Sequence, residues 1–596
     1  MENISEILNK NNELMERNNN INENLQNIED LINTFNKKCS NCEVYDILYK
    51  KFNNSINLYN DLEIFNSYTN DKNDAIFSYI NKNNLYIGEF YFKNLLLNPL
   101  YSTSKLNKRK KTLKKLDKKY YNKIYNKLKI IKETECDILW LISKQDETED
   151  SQQLFNMVYF NEQMVGFLNK YEILLNVLYF YNILLTPLIN IVSPICAYLV
   201  PYIILKCTGA PVTDDFLSKM LNTTLNFDKI LFPDNPSTSY MKYIGYIMCI
   251  FTYLQTLYST VKIAYDTYYI GNIIHNKVTN ICKFLSTSYE LNELVYDLFN
   301  DKKILCPIPD IFNPICLEEP RIFTNKGKIL YIFKLLLEHR FDFLPIIYYI
   351  GKIDAFTSIL TLKKKYKLSS VQFIDNVSPI LEIDDVYHPR VEQPVYNSIT
   401  INKEPFNQLI TGPNASGKST YLKSVALNIL FAQTLTYSFS SKMKITPFQY
   451  FNTYLNIPDC EGKESLFEAE MHRMANELKI INEEKGHVFL IMDEIFSSTN
   501  PKEAISGAYS ICYNMGEFKN LISLVTTHYD YLTNLEKDTK NWTNYKFTGE
   551  IRESDIKYKY KIEDGISNQS FALKILEFNK FNKSIINIAN NIYNKI

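Results

Sequence analysis

The sequence predicts a multidomain chain, mostly helical through its N-terminal and middle regions and closed by an α/β domain built to hold nucleotide phosphates. Three observations carry this. Apolar residues recur at helical spacing from Leu58 to Leu141 and from Ile329 to Lys365. After Val371 short apolar runs alternate with helical patterns, as in a largely parallel sheet. One of those runs leads into Thr411 to Thr420, TGPNASGKST, a glycine-rich loop of phosphate-binding pattern. The 596 residues suffice for about three or four domains. Net charge is zero and the pI near 7.0, so whole-chain charge indicates no partner. The wealth of Asn, Lys, Ile and Tyr is what AT-rich codons supply, and Asn18 to Asn20 is read as that bias. Eleven scattered cysteines suit a reducing, intracellular compartment.

At the N-terminus, Ile7, Leu14, Ile21 and Ile28 stand seven apart, with Leu25 and Ile32 on the same seam and Asn11 and Asn18 interrupting it. This predicts either a short coiled coil or an amphipathic helix packed on its own domain. Cys39 and Cys42 form one CxxC with no second pair, which does not complete a zinc site. No basic stretch followed by a short apolar run and cleavage site opens the chain, so no secretory signal is expected.

Between Lys105 and Lys132 thirteen Lys/Arg face a single acid, Asp117. Leu106, Leu113, Leu116, Ile124, Leu128 and Ile131 supply a packing face at helical spacing, leaving the opposite face positive. Such a face suits a phosphate backbone or, equally, solvent. Residues 151–325 differ in character. Ile173 to Leu205 contains 33 residues without a charge, and Tyr243 to Val261 another 19, flanked by Lys242 and Lys262. Both are long enough to cross a bilayer. Pro187, Pro194 and Pro201, with Asn176, Asn182 and Asn190, fit a long buried helical hairpin as well.

The chemistry lies in the last third. In Gly412, Pro413, Asn414, Ala415, Ser416, Gly417, Lys418, Ser419 and Thr420 the glycines let backbone N–H groups curl toward phosphate oxygens. A helix from Tyr421 adds its dipole. Lys418 is positioned to neutralise the β/γ-phosphates of ATP, and Ser419 to offer its hydroxyl to Mg²⁺. About seventy residues on, the apolar strand Val488 to Met492 ends in Asp493 and Glu494. Asp493 is expected to hold Mg²⁺ through water and Glu494 to deprotonate or orient the attacking water. A third strand, Leu521 to Thr527, precedes His528, which is placed to report the γ-phosphate. Between them Gly462 to Met471 opens a helix. Ser465 there is either a plain N-cap or a phosphate contact for a second subunit's nucleotide.

The segments TGPNASGKSTYLKSVAL, SLFEAEM, FLIMDEI and TTHY, in this order and spacing, resemble the ATPase domain of the MutS mismatch-repair family, which is related to ABC-type P-loop ATPases. Asp61 to Phe65, Gly88, Asn98 to Leu100 and Arg109 are similar to the start of that family's lever. Ile353 to Ser358, and the His388-Pro389 pair with Asn397, resemble the lever's return and the approach to the ATPase domain. Tyr560 to Gly565 and Gln569 to Ala572 are similar to the C-terminal dimerisation segment. The resemblance implies a helical N-terminal segment (1–44), a lever (45–150 and 326–375) interrupted by an apolar insert (151–325), an ATPase domain (376–546) and a dimerisation segment (547–596). It implies a homodimeric Mg-ATPase with Ser465 acting in trans, His388 and Pro389 near the adenine, and levers that grip double-stranded DNA in cytoplasm or nucleus. Departures accompany it. About 45 residues precede the lever, too few for mismatch-binding and connector domains, and no aromatic-x-Glu motif stands there, so mismatch specificity is not implied. The glycine-rich segment expected after the acidic pair reads Phe496, Ser497 and Ser498, and Tyr454 to Asn456 stand where an arginine is expected. The apolar insert replaces the clamp, which keeps open the alternative of a membrane-anchored ATPase of this type without mismatch repair.

Overall fold

The computed structural model describes residues 56–65, 67, 74–142, 157–208, 219, 239–299, 306–317, 325–455, 466–496, 498–552, 555–569 and 571–593. The seam over 4–32, the Cys39/Cys42 pair, Asn456, Ser465 and Ser497 lie outside them. The described residues fall into two compact units, one within Lys129–Leu294 and Lys302–Ile347, the other within Asn41–Leu128, Val295–Asp301 and Tyr348–Ile596.

The first unit is helical. Its principal elements are Glu172–Phe180, Thr186–Cys207, most of the 61-residue helix Ser239–Phe299, and Lys326–Glu338. Leu175, Tyr179, Ile274, Val278, Ile281, Phe284, Ile329 and Phe333 are buried together as its core. Gly327 lets two helices approach closely: a Cβ there would stand 2.0 Å from the Glu172 carbonyl oxygen. Its N–H donates to Asn176 Oδ1 at 3.2 Å. Among the described residues two helices are long and apolar enough to cross a membrane. The most apolar stretch of Arg340–Tyr366 is largely buried, as in a core helix, whereas that of Glu172–Cys196 is largely uncovered. Tyr243 to Val261 forms part of Ser239–Phe299.

In the second unit the helices Tyr86–Leu97 and Thr103–Lys119 precede twelve described strands. These are β1 Ser369–Ser370, β2 Gln372–Phe373, β3 Leu381–Val386, β4 Asn397–Ile401, β5 Asn407–Thr411, β6 Tyr437–Ser438, β7 Lys442–Ile445, β8 Tyr450–Tyr454, β9 Val488–Asp493, β10 Leu521–Thr526, β11 Trp542–Ile551 and β12 Ile556–Asp564. Six form the main sheet in the order β12-β11-β5-β10-β9-β8. All its pairings are parallel except β11 with β12. The crossovers β5 to β8, β8 to β9 and β9 to β10 carry the helices Lys418–Leu435, Leu466–Glu483 and Pro501–Met515. β5 and β10 are buried at every position, apolar at Leu409, Ile410, Leu521, Ile522, Leu524 and Val525, while the buried polar Asn407 and Ser523 bond to each other. A smaller, four-stranded sheet has the order β2-β7-β3-β4.

Gly88 and Asp354, from the two segments that the resemblance assigns to one lever, meet directly: a Cβ on Gly88 would stand 2.0 Å from Asp354 Oδ2. Asp354, fully buried, accepts from Leu85 N at 2.9 Å and Asn84 N at 3.0 Å. It thereby satisfies donors at the start of Tyr86–Leu97. In the basic run Leu106, Leu113, Leu116, Ile124 and Leu128 are all buried, while Lys105, Lys108, Lys111, Lys114, Lys115, Lys118, Lys119 and Lys123 are exposed. Arg109 and Lys110 instead serve packing, donating to the carbonyls of Thr434 at 2.5 Å and Val371 at 2.6 Å. Asp117 is neutralised by Lys363 and Lys364.

Candidate nucleotide site

The buried strand β5 delivers Thr411 to the edge of the sheet, and the chain turns into the helix Lys418–Leu435 within six residues. Gly412 is required by close approach, since a Cβ would meet the Phe547 carbonyl oxygen at 2.9 Å. Gly417, at φ 99°, is the left-handed residue that starts the helix. Lys418 is 5% exposed. Its Nζ donates to the carbonyls of Gly412 at 2.9 Å and Pro413 at 3.2 Å, folding the lysine back over its own loop. Burial pushes its pKa below the ordinary value, and the Glu494 and Asp493 carboxylates oppose that shift. Ser416 Oγ is buried with no hydrogen-bond partner among the described residues. Asn414, Ala415, Ser419 and Thr420 are exposed around it.

β9 and β10 place the acidic residues and the histidine. Asp493 closes β9, and its Oδ1 accepts from Thr526 Oγ1 across the sheet. Glu494 follows in the left-handed region, at φ 54°, with its N–H donating to the Thr526 carbonyl at 3.2 Å. That turn brings Glu494 Oε1 to 2.7 Å from His528 Nε2. The same ring nitrogen lies 3.4 Å from Lys418 Nζ. The hydrogen bond from His528 holds the Glu494 pKa below the usual carboxylate value against the effect of burial. Lys418, Asp493, Glu494 and His528 thus converge from three elements.

A pocket of about 400 Å³ opens beside the loop, lined by residues of Asn414 to Tyr421 with His388, Val395, Asn397, Glu494 and Tyr560 among others. His388 lines it and Pro389 does not; Glu494 lines it, whereas Asp493 and His528 do not. Burial, aided by the Arg390 and Lys423 charges, pushes His388 down to about 4, so its imidazole is neutral near pH 7. Asn397 fixes the pocket wall, donating to the Tyr560 carbonyl at 3.0 Å and accepting from Ile562 N at 2.9 Å.

The donor set fits a nucleotide triphosphate. A buried ammonium, a helix N-terminus, a buried hydroxyl without a partner and a glycine-lined loop all await an anion. No group of three His, Cys, Asp or Glu suited to a metal occurs among the described residues. Exposed Ser419 and half-buried Asp493 suit Mg²⁺ held mainly through phosphates and water, as that ion prefers.

Two clasps around this site leave no mark in the sequence. Glu63 pairs with Arg390 at 3.0 Å, two residues from His388, and with Lys423 at 3.0 Å on the helix that follows the loop. Asp61, 3% exposed, pairs with Arg473 at 2.6 Å and accepts from Thr453 Oγ1 at 2.8 Å and Leu455 N at 3.2 Å. Arg473 also donates to the Thr453 carbonyl at 2.6 Å, which puts a guanidinium beside the Tyr454 region, where the sequence carries none.

Fold and site together define a class: chains with a parallel α/β domain whose central strand, loop and helix are arranged for phosphate. Comparison with known proteins narrows it. Residues 408–596 match the family model of MutS domain V. The chain is 30% identical over 245 residues to the DNA mismatch repair protein MutS of Persephonella marina (strain DSM 14350 / EX-H1), covering 40% of this chain and 28% of that protein. It is 27% identical over 248 residues to the DNA mismatch repair protein MutS of Staphylococcus haemolyticus (strain JCSC1435), covering 40% of this chain and 27% of that one. The matched part therefore spans little more than a quarter of these curated relatives. The similarity to the MutS family lies in this C-terminal region.

Proposed function

We propose that this protein is a Mg-dependent ATPase of the P-loop, ABC-related type that works on double-stranded DNA as a homodimer, coupling nucleotide state to the movement of lever helices. The observation that carries the ATPase reading is the buried Lys418 folded over its own glycine loop beside the partnerless Ser416 hydroxyl. Bound nucleotide would replace the Gly412 and Pro413 carbonyls as partners of Lys418. Mg²⁺, when bound, supplies charge neutralisation between the phosphates. Glu494 accepts the proton of an attacking water once His528 releases its Oε1. His528, within reach of both Glu494 and Lys418, links the base to the phosphate side of the loop. His388, neutral and half-buried, offers an uncharged wall to a base. Titration with ATP tests the reading: the natural chain binds and Lys418→Ala does not, and equal affinities in the two would overturn it.

The DNA part of the reading is supported by the exposed lysines between Lys105 and Lys123 and by the printed names of the relatives. Its measure is salt. The affinity for duplex DNA should fall with a log–log slope of about −0.9 per phosphate contact, and Lys111→Ala with Lys115→Ala should flatten it by about 2. A slope unchanged by these substitutions would return that face to solvent. A second reading, a membrane-anchored ATPase of the same family without mismatch-repair activity, is favoured by one observation, the outward apolar surface of the helix Thr186–Cys207.

A further inference from the structure

Ser239–Phe299 changes character along its length. Beyond Tyr265 an apolar face of it is core: Ile270 is 5% exposed, Ile274 4% and Val278 0%. Before it they point outward, and so do those of Thr186–Cys207. The adjacent pairs Leu188/Ile189, Ile203/Ile204 and Ile250/Phe251 are each 49–66% exposed. Neighbours in a helix stand about 100° apart, so the apolar surface wraps around each helix instead of forming the single stripe of a helix docked on a protein core.

The two helices lie side by side and antiparallel. Gly271 lies against the Tyr179 ring, Asn190 Nδ2 donates to Thr260 Oγ1 at 2.8 Å, and Tyr253 OH donates to the Ile191 carbonyl at 3.0 Å. As one helix's numbers rise, the other's fall. These contacts turn polar groups inward, and Thr260 is 6% exposed. Other hydroxyls close back on their own helices: Thr252 onto Cys249 O at 3.0 Å, Thr256 onto Thr252 O at 2.8 Å, and Ser193 onto Asn190 O at 2.9 Å. A polar contact thus lies between the helices, while Ser193, Thr252, Gln255, Thr256 and Ser259 are exposed among the outward apolar residues.

We infer that Thr186–Cys207 and the part of Ser239–Phe299 before Tyr265 form a hairpin that inserts into a lipid bilayer. The first helix has 22 residues, about 33 Å at ~1.5 Å per residue, against a hydrocarbon core of about 30 Å. No charged residue occurs from Ile173 to Leu205 or from Tyr243 to Val261, and Lys206, Lys242 and Lys262 stand at the ends, where lysines reach the interface. A protein partner would call for a rim carrying charged groups, and no charged residue occurs along this length. Pro187 and Pro194 within the first helix are tolerated in bilayers where neighbouring groups satisfy the backbone. The inference is independent of the nucleotide reading.

The experiment uses the full chain with zwitterionic phosphatidylcholine vesicles, to which the basic helices have no electrostatic attraction. After high-salt and alkaline washing the protein should stay with the vesicles. Cys196 and Cys249, both exposed in the protein, should resist a membrane-impermeant maleimide until detergent is added, as read site by site by mass spectrometry. The double variant Ile250→Lys, Phe251→Lys should lose retention while binding ATP as the natural chain does, which separates this outcome from misfolding and from failure of the nucleotide reading. Release by the washes with both cysteines freely labelled would overturn the inference. So would retention that survives the double variant, or protection of both cysteines without vesicles in a sedimenting dimer, which would make a second copy the occupant.

Discussion

Glu494 is the residue whose position says most about turnover. The left-handed turn after β9 aims it at His528, and the 2.7 Å contact keeps it ionised and therefore basic-competent, yet engaged. Glu494→Gln preserves the shape and hydrogen bonding of the side chain and removes its ability to take a proton. Nucleotide affinity should remain while single-turnover hydrolysis slows by about 10²–10⁴-fold. A near-natural rate would transfer the role of base to another group, His528 being the nearest. At this scale the sequence was most informative. Phosphate recognition needs glycines, lysine and hydroxyl within one loop, so the spacing of Gly412, Gly417, Lys418 and Ser419 carries the chemistry on its face.

Among the elements, the short helix Ile56–Asp61 and the turn after it contribute more than their length suggests. Asp61 and Glu63 face different helices of the same unit, Leu466–Glu483 through Arg473 and Lys418–Leu435 through Lys423. Asp61 is the more buried of the two, and its removal takes a carboxylate from the Arg473 guanidinium, which is itself 11% exposed. Breaking one side of a buried pair costs about 3–5 kcal/mol. Asp61→Ala should therefore lower the unfolding free energy of this unit by that amount, read as a lower denaturant midpoint at unchanged m value; a loss under ~1 kcal/mol would mark the pair as solvent-screened. Neither clasp was legible beforehand. The partners are 412, 327 and 360 residues apart, and an ion pair at such separations leaves no periodicity to read. The helices and parallel strands were legible because burial repeats along them, with boundaries shifted by a few residues: the strand read as Leu521 to Thr527 is Leu521–Thr526, and the helix read from Tyr421 begins at Lys418. The apolar run Ile173 to Leu205 left two readings open from composition alone, because a buried hairpin and a bilayer hairpin share a sequence pattern and differ in which side of the helix is covered.

For the whole molecule the decisive matter is whether two chains complete one another's sites, as the resemblance implies through Ser465. The exposed Asn414, Ala415, Ser419 and Thr420 and the half-exposed Glu494 and His528 leave one side of the site open to a second surface within the proposed dimer. Two inactive variants test this together. Lys418→Ala disables the site in its own chain. Ser465→Arg, by the proposed arrangement, disables the site of the chain opposite. In a mixed dimer the Ser465→Arg chain retains its own Lys418 and faces the natural Ser465 of the Lys418→Ala chain, so one site is whole and the other doubly broken. Random pairing makes about half the dimers mixed, each with one working site of two, and mixing should restore about a quarter of the natural ATPase rate. If each chain instead carries a self-sufficient site, Ser465→Arg alone keeps most of its activity and the mixture merely averages the two. If Ser465 serves only to cap its own helix, the variant weakens folding of Leu466–Glu483 in every pairing, and no mixture recovers what both parents lack.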